Sequence, residues 1–419
     1  MKNISAILIV FAAALLVAEA KPAANLSPAE SAIAQAQSAI AKKPNQCDGY
    51  NQLAIALARR ARETSDVDFY AGAEEALKKS LELSPESLDA EKIHVWLLLG
   101  RHEFSAALDD AKALNRKIPD DVLVYGFLVD ANAELGNYKD AESAAQWMLN
   151  LRPGNLPALT RAAYLRELFG DVDGALELMN MAYQSTPPTE NEDGAWILTQ
   201  MAHLRLSEGN PAEAETLLQQ ALQKFPGYHY TLGNLAKLRV IQHRYTEAVS
   251  LLQQRYAAAP HAENLYDLAE ALQSAGRTDE AKTAFSEFEI KSLAESVRAD
   301  NSNRELVFYY ADHVHEPAKA LEVAQKESSR RHDVYTLDAY AWALHVNGQN
   351  GEARKQIEAA LSVGIRDAQM LHHAGEIALS LGDTAAAERL LKDAAALNAA
   401  GSDQARGTLA SLTRSLQRR

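Results

Sequence analysis

Histidines are the side chains in this sequence best suited to chemistry. His313 and His315 flank one residue, His372 and His373 are adjacent, and His345 precedes that pair. Neutral imidazoles that converge within about 2.1 Å of one point can hold a metal ion. Neighbouring helical residues point about 100° apart, so His372 and His373 cannot easily share one. His345 with His372 is the more workable pair, and metal handling through them is the weaker alternative to packing or groove-lining roles. The chain has no G-x-S-x-G elbow, H-E-x-x-H pair, phosphate-binding glycine loop or C-x-x-C motif. His102-Glu103 lacks the second histidine of a zinc motif. Asp171-Val172-Asp173-Gly174 starts like a calcium loop but lacks its remaining ligands, and reads as turn chemistry. No catalytic constellation emerges, so neither an enzyme nor a cofactor is expected.

The elements that must position these residues repeat along the chain. Alanine recurs at Ala73, Ala107, Ala141, Ala175, Ala214, Ala248, Ala281, Ala320, Ala353 and Ala387, at intervals of 33, 34 or 39 residues. Five residues earlier stands Gly136, Gly170, Gly209, Gly276, Gly348 or Gly382. Twelve residues later stands Pro85, Pro119, Pro153, Pro187, Pro226 or Pro260. In the stretch from Val122 to Asn155, Tyr125, Leu128, Val129 and Asn132 share one face of a first helix. Ala141, Ala145 and Met148 share one face of a second. The glycine allows the turn between them, the alanine lets the helices approach closely, and the proline ends the second helix. Such a pair cannot bury its apolar stripe alone. Stacked copies can.

This pattern resembles the tetratricopeptide repeat, a 34-residue helix-turn-helix unit, over roughly Asp48 to Gly401. The resemblance implies an all-α solenoid of about ten units wound into a right-handed superhelix, each unit touching only its neighbours. Units 1–7 occupy 48–293, an insertion or hinge 294–300, and units 8–10 occupy 301–401. Phe308 fills a slot that elsewhere holds Val95, Val129, Ala163, Ala202, Ala236, Ala269, Ala341 or Gly375, which makes the unit from Asn301 the least regular. In the resembled family the second, fifth, ninth and twelfth places of each unit line the concave surface. That register puts Trp96, Tyr164, His203, Tyr309 and Trp342 at ninth places, Trp196, Tyr230 and Tyr335 at second places, and Tyr266 at a fifth. These nine are the expected partner-binding residues, because exposed aromatics bury large area at small entropic cost. Some family members grip a C-terminal carboxylate with a basic, asparagine-rich clamp. Here Lys92 is the only lysine or arginine at a fifth place and no asparagine sits at a ninth.

Residues 1–20 read as a secretory signal peptide: Lys2, an apolar run from Ile4 to Val17, then Ala18-Glu19-Ala20. A spanning helix needs about 20 apolar residues, so no stable membrane insertion is expected once the signal is removed. Residues 21–47 form a leader and a capping helix opened by Ser27-Pro28-Ala29-Glu30. Residues 402–419 form a closing helix carrying Leu409, Leu412 and Leu416. Cys47 is the only cysteine, so packing alone must hold the fold. Cleavage removes Lys2 and Glu19, one charge of each sign, and leaves the net charge at −14. That sign argues against nucleic acid, whose affinity rests on phosphate neutralisation. The sequence therefore predicts an exported scaffold, periplasmic or secreted, that binds a protein or peptide along an aromatic concave groove or holds an envelope assembly together. Ala141 should have no spare room: Ala141→Leu is expected to cost about 1–3 kcal/mol by overpacking, read by urea denaturation, and an unchanged midpoint would contradict its placement.

Overall fold

Helices follow from the repeat wherever it is regular. The computed structural model describes residues 26–64, 66–397 and 402–417; the expected signal segment and the terminal Arg418 and Arg419 lie outside them. Among the described residues the chain is entirely helical and turn-connected. α1 (Pro28–Lys42) opens on a capping box in which Ser27 Oγ accepts from the Glu30 N–H and Glu30 accepts from the Ser27 N–H. Unit 1 pairs α2 (Cys47–Thr64) with α3 (Asp68–Leu83), and unit 2 pairs α4 (Leu88–Gly100) with α5 (Phe104–Lys117). Unit 3 is α6 (Val122–Glu134) and α7 (Tyr138–Leu151); unit 4 is α8 (Leu156–Leu168) and α9 (Val172–Ser185). Unit 5 is α10 (Asn191–Ser207) and α11 (Pro211–Lys224); unit 6 is α12 (His229–Ile241) and α13 (Tyr245–Ala258). Unit 7 is α14 (Ala262–Ser274) and α15 (Thr278–Glu295). In unit 8, α16 (Asn303–Phe308) continues as a π-helical turn, Tyr309–His313, before α17 (Pro317–Ser328). Units 9 and 10 are α18 (Val334–Val346) with α19 (Asn350–Leu361), and α20 (Ala368–Ser380) with α21 (Thr384–Ala396). α22 (Ser402–Gln417) closes the array.

The alanine ladder is the spine of this stack. All ten alanines are at most 3% exposed, each near the start of the second helix of its unit. Nine of the turns hold a residue with positive φ five places before the alanine. Six are the glycines, with φ from 73° to 78°, and three are histidines: His102, His243 and His315 at 55° to 59°. A non-glycine residue in this region carries steric cost, which these three turns accept. The polar segments between regular units become helix as well as loop. The Glu190–Gly194 segment supplies the first turn of α10, and α15 runs to 18 residues, four more than α13.

Even-numbered helices approach one another from unit to unit more closely than odd-numbered ones do, so the array curves with the even helices inside. The curvature brings the coil back onto itself, which corrects the expectation that each unit touches only its neighbours. The turn after α6 meets the loop before α18: His332 N–H donates to the Glu134 carbonyl at 3.0 Å, and Val334 N–H donates to Tyr138 Oη at 2.9 Å. The turn after α8 meets the loop before α20, where a Cβ on Gly170 would lie 2.5 Å from the Gly364 carbonyl oxygen. The end of α2 meets the start of α10: Arg59 pairs with Glu190 at 2.7 Å, and Arg62 pairs with Asp193 at 3.0 Å and with the fully buried Glu192. The two coils also share apolar core, with Phe104, Phe127 and Leu165 joined to Val334, Leu344 and Met370. The offset between facing units is six where unit 3 meets unit 9 and unit 4 meets unit 10, and four where unit 1 meets unit 5.

Charge is buried in this seam. Arg331 reaches Glu134 at 2.9 Å and Asp333 at 2.8 Å. Burial acts to raise the Asp333 pKa, but the Arg331 and Arg304 charges outweigh it and hold the carboxyl at about 2. His102 sits beside these cations, and burial, reinforced by Arg331 and Arg304, lowers its pKa to about 3, so it packs as a neutral ring.

The glycine pair at the seam has a measurable consequence. Gly364 has φ 114°, and a Cβ there would lie 2.7 Å from the Phe169 carbonyl oxygen; Gly382 has φ 77° with open space around it. Gly364→Ala is expected to cost about 1–3 kcal/mol, and Gly382→Ala about 1 kcal/mol. Equal midpoints in urea denaturation would mean that the coil contact adds nothing.

Candidate functional site

Places two, five, nine and twelve of the even helices are those expected to line the inside of the coil. Side chains at or next to these places contact one another from unit to unit. Arg161 on α8 clamps Asp130 on α6 through two nitrogens at 2.7 and 2.5 Å. His203 on α10 contacts Glu167 on α8 at 2.7 Å. Thr199 and Thr231 share a hydrogen bond at 2.7 Å. Each link spans 31 to 36 residues, one repeat apart.

The densest group lies in units 8 to 10. The Trp342 indole N–H donates to Asp312 Oδ1 at 2.9 Å, and the indole stacks on the His373 ring at 4.2 Å between centroids, tilted by 17°. His345 lies 4.9 Å from the indole and His372 6.4 Å. His373 turns back to Asp338 of the preceding unit at 2.8 Å, and both are buried. His372 turns forward, contacting Thr408 at 3.4 Å and Glu376 at 3.5 Å, and Thr408 donates to Glu376 at 2.7 Å. Beside it, His372, Glu376, Leu379, Gly407, Thr408 and Leu412 line a cavity of about 690 Å³ between α20 and α22. Burial acts against the charged form of His373, but Asp338 outweighs it and the pKa stands above the ordinary imidazole value. The hydrogen bond from His372 holds Glu376 below the usual carboxylate range, whereas burial raises Asp312.

The nine expected wall residues fall into two sets. Trp96, Tyr164, Trp196, Tyr230, Tyr266, Tyr335 and Trp342 are half-buried, and so is His203. Trp96 wedges between two cores, one reaching back to unit 1 and one forward to unit 3, so it packs as much as it lines. Tyr230 leans on Tyr228 and His229, Tyr266 packs against Phe285, Phe288 and His313, and the Arg304 guanidinium lies over the Tyr335 ring at 5.8 Å. Tyr309 differs from its expected place. It is 7% exposed, lies among Phe285 and Phe288, and directs its hydroxyl to Glu289. The π-helical turn is the cause. Val314 N–H reaches back five residues to the Tyr309 carbonyl, and the added residue rotates the register so that Tyr309 enters the core and Phe308 faces His373. The oversized Phe308 in a small-residue slot is the sequence signal of that bulge.

His345 and His372 do not converge. His345 Nδ1 meets Asn350 Oδ1 at 2.8 Å, His372 points to α22, and Trp342 lies between them. Among the described residues no group of three or more His, Cys, Asp or Glu side chains is placed to hold a metal ion. Reading aromatics alone missed Asp312 at a twelfth place, Asp338 at a fifth and Glu376 at a ninth. The same register would have found them.

Comparison with known proteins agrees with this fold. Residues 205–260 match the tetratricopeptide repeat family. A monomeric mutant of IFIT1 solved with Gppp-AAAA is 15% identical at a TM-score of 0.50, with 87% of this chain and 86% of that chain covered. The human IFIT1 dimer with m7Gppp-AAAA gives 14% identity and a TM-score of 0.50, covering 86% and 84%. The Cut9–Hcn1 hetero-tetramer of the APC/C gives 15% identity and a TM-score of 0.48; this chain spans 55% of that one and is itself covered over 82%. A search of the curated proteins returns no match. The chain is a helical solenoid. Residues 205–260 carry the tetratricopeptide repeat, whose solenoids serve in general as scaffolds for protein–protein interaction. Among the described residues no helix is long and apolar enough to cross a membrane.

The His373–Asp338 pair should show in the pH dependence of stability. A histidine whose folded pKa is raised contributes stability that is complete below about pH 6.5 and is lost as pH rises through the folded value. Asp338→Asn is therefore expected to cost about 1–3 kcal/mol at pH 6 and clearly less at pH 9, measured by urea denaturation. A pH-independent difference would remove the pair from the account.

Proposed function

We propose that this protein is an exported, non-catalytic scaffold, periplasmic or secreted, that binds a polypeptide segment along its concave face. Contact is concentrated on Trp342 and the imidazoles of units 9 and 10. The observation that carries this reading is the held indole: Asp312 fixes its N–H and His373 fixes its plane, while the ring stays half-exposed on the inner wall. A pre-oriented aromatic pays little entropy on binding and is the common anchor of a hot spot. The cavity beside α22 continues the same face and gives a partner chain room to follow. The IFIT1 structures contain Gppp-AAAA and m7Gppp-AAAA, but carboxylates on this inner wall oppose a phosphate-bearing ligand, which favours a polypeptide. The apolar run at Ile4–Val17 and the Ala18-Glu19-Ala20 site support export.

Affinity capture with crosslinking from an envelope extract tests this reading. Trp342→Ala is expected to weaken the captured polypeptide by about 2 kcal/mol. Trp147→Ala should leave it unchanged, because Trp147 is 53% exposed on α7, in the outer layer. Equal capture by both variants, or cytoplasmic fractionation with an intact Met1, would overturn the proposal.

A further inference from the structure

Resting on that reading, we infer that the inner wall of units 7–10 recognises a basic segment of its polypeptide partner, one whose lysine or arginine side chains meet carboxylates along the groove. The second, fifth, ninth and twelfth places of these four units comprise sixteen positions in sequence, of which Tyr309 and Asp338 are buried. Six are acidic, Glu263, Glu270, Glu305, Asp312, Asp338 and Glu376, and none is lysine or arginine. Glu263 is the single member of the six within ion-pair distance of an arginine, Arg255 at 3.7 Å, among the described residues. Glu270 meets His313 at 2.5 Å, Asp312 meets the Trp342 indole, and Glu305 forms no ion pair among the described residues.

The overall acidity of the chain does not account for this. On the outer helices carboxylates are neutralised within their own helix, as in Arg277–Glu280, Glu352–Lys355, Arg354–Glu358 and Glu388–Lys392. On the inner wall Glu270, Asp312, Asp338 and Glu376 meet histidine, indole or hydroxyl groups, while Glu263 alone of the six has an arginine within ion-pair distance among the described residues. The wall also excludes part of the solvent that would screen them. Burial, then the neighbouring Glu263 charge, pushes the Glu305 pKa up to about 7, and burial raises Asp312. A carboxylate held high by crowding gains from an arriving cation, and low local screening strengthens that gain. Asp338 is buried against His373, but Glu263 and Glu270 remain open to solvent, with side chains 47% and 44% exposed.

The groove supplies the space. The cavity of about 690 Å³ between α20 and α22 adjoins Trp342 through His372. Gly407 lies in its lining with nothing within 4 Å of where a Cβ would stand, so a partner backbone can approach α22 closely. The strip from Glu263 through Asp312 and Trp342 to Glu376 thus alternates negative charge with aromatic surface, which fits an extended chain of basic and apolar side chains.

Fluorescence anisotropy of the full chain with a labelled lysine–leucine peptide, and with its glutamate–leucine counterpart, tests this assignment. The inner triple variant Glu270→Gln, Glu305→Gln, Asp312→Asn is expected to weaken the lysine peptide about tenfold or more. An outer triple, Glu352→Gln, Glu358→Gln, Glu388→Gln, removes the same charge and should change affinity by less than about twofold. Gly407→Leu, which fills open space on α22, should also weaken binding and covers the case in which the inner triple does not fold. Equal loss in both triples, no binding of the lysine peptide, or equally tight binding of the glutamate peptide would overturn the inference. If the lysine peptide fails while Trp342-dependent capture stands, the partner chemistry falls and the scaffold reading survives. If capture fails as well, both fall.

Discussion

Close contact at one alanine per unit is the constraint on which this structure depends. A side chain larger than a methyl at Ala107 or Ala141 would hold the paired helices apart, because both sites are fully buried. The distance of closest approach sets the angle between the helices of a unit and, through it, the rotation from one unit to the next. Repeated ten times, a small uniform rotation becomes a coil. The turn residues serve the same end, since a left-handed backbone at Gly136, Gly170 or His102 returns the second helix along the first in the same way each time.

The coil closes because that rotation brings units four to six positions apart face to face. Closure changes the energetic character of the molecule. In an open solenoid the contacts are local and stability is a sum of neighbour terms. Here Glu134 with Arg331, Arg62 with Glu192 and Gly170 against Gly364 join residues 130 to nearly 200 positions apart. Buried ion pairs of this kind add little net stability but penalise any arrangement that separates them, so they act chiefly to hold one register between the coils. Gly364 has no room for a Cβ, which makes its absence of side chain part of the fit between coils.

Closure also shapes the inner wall. Side chains that would line a broad open groove instead face other walls at short range, which explains why tyrosines such as Tyr164 and Tyr335 are half-buried and hold their protons well above the ordinary range. Within this confined space polar groups link laterally, His203 to Glu167 and Trp342 to Asp312, so the wall is a connected surface. A partner entering it meets groups already oriented, which lowers the entropy lost on binding.

The local sequence was enough to determine the helix pairs, their length and their turns, because periodicity, the alanine, the glycine and the proline act over a few residues each. It also marked the aromatics of the even helices, from Tyr164 to Trp342, that stay partly exposed. What it could not determine depends on distance in space. The closure of the coil arises from small rotations summed over several units, and no single repeat encodes that sum. The entry of Tyr309 into the core follows from one extra residue in a π-helical turn, a shift set by Phe308 meeting its neighbours. The divergence of His372 and His373, one to Thr408 and the other to Asp338, was decided by which unit each ring faces once the units are stacked.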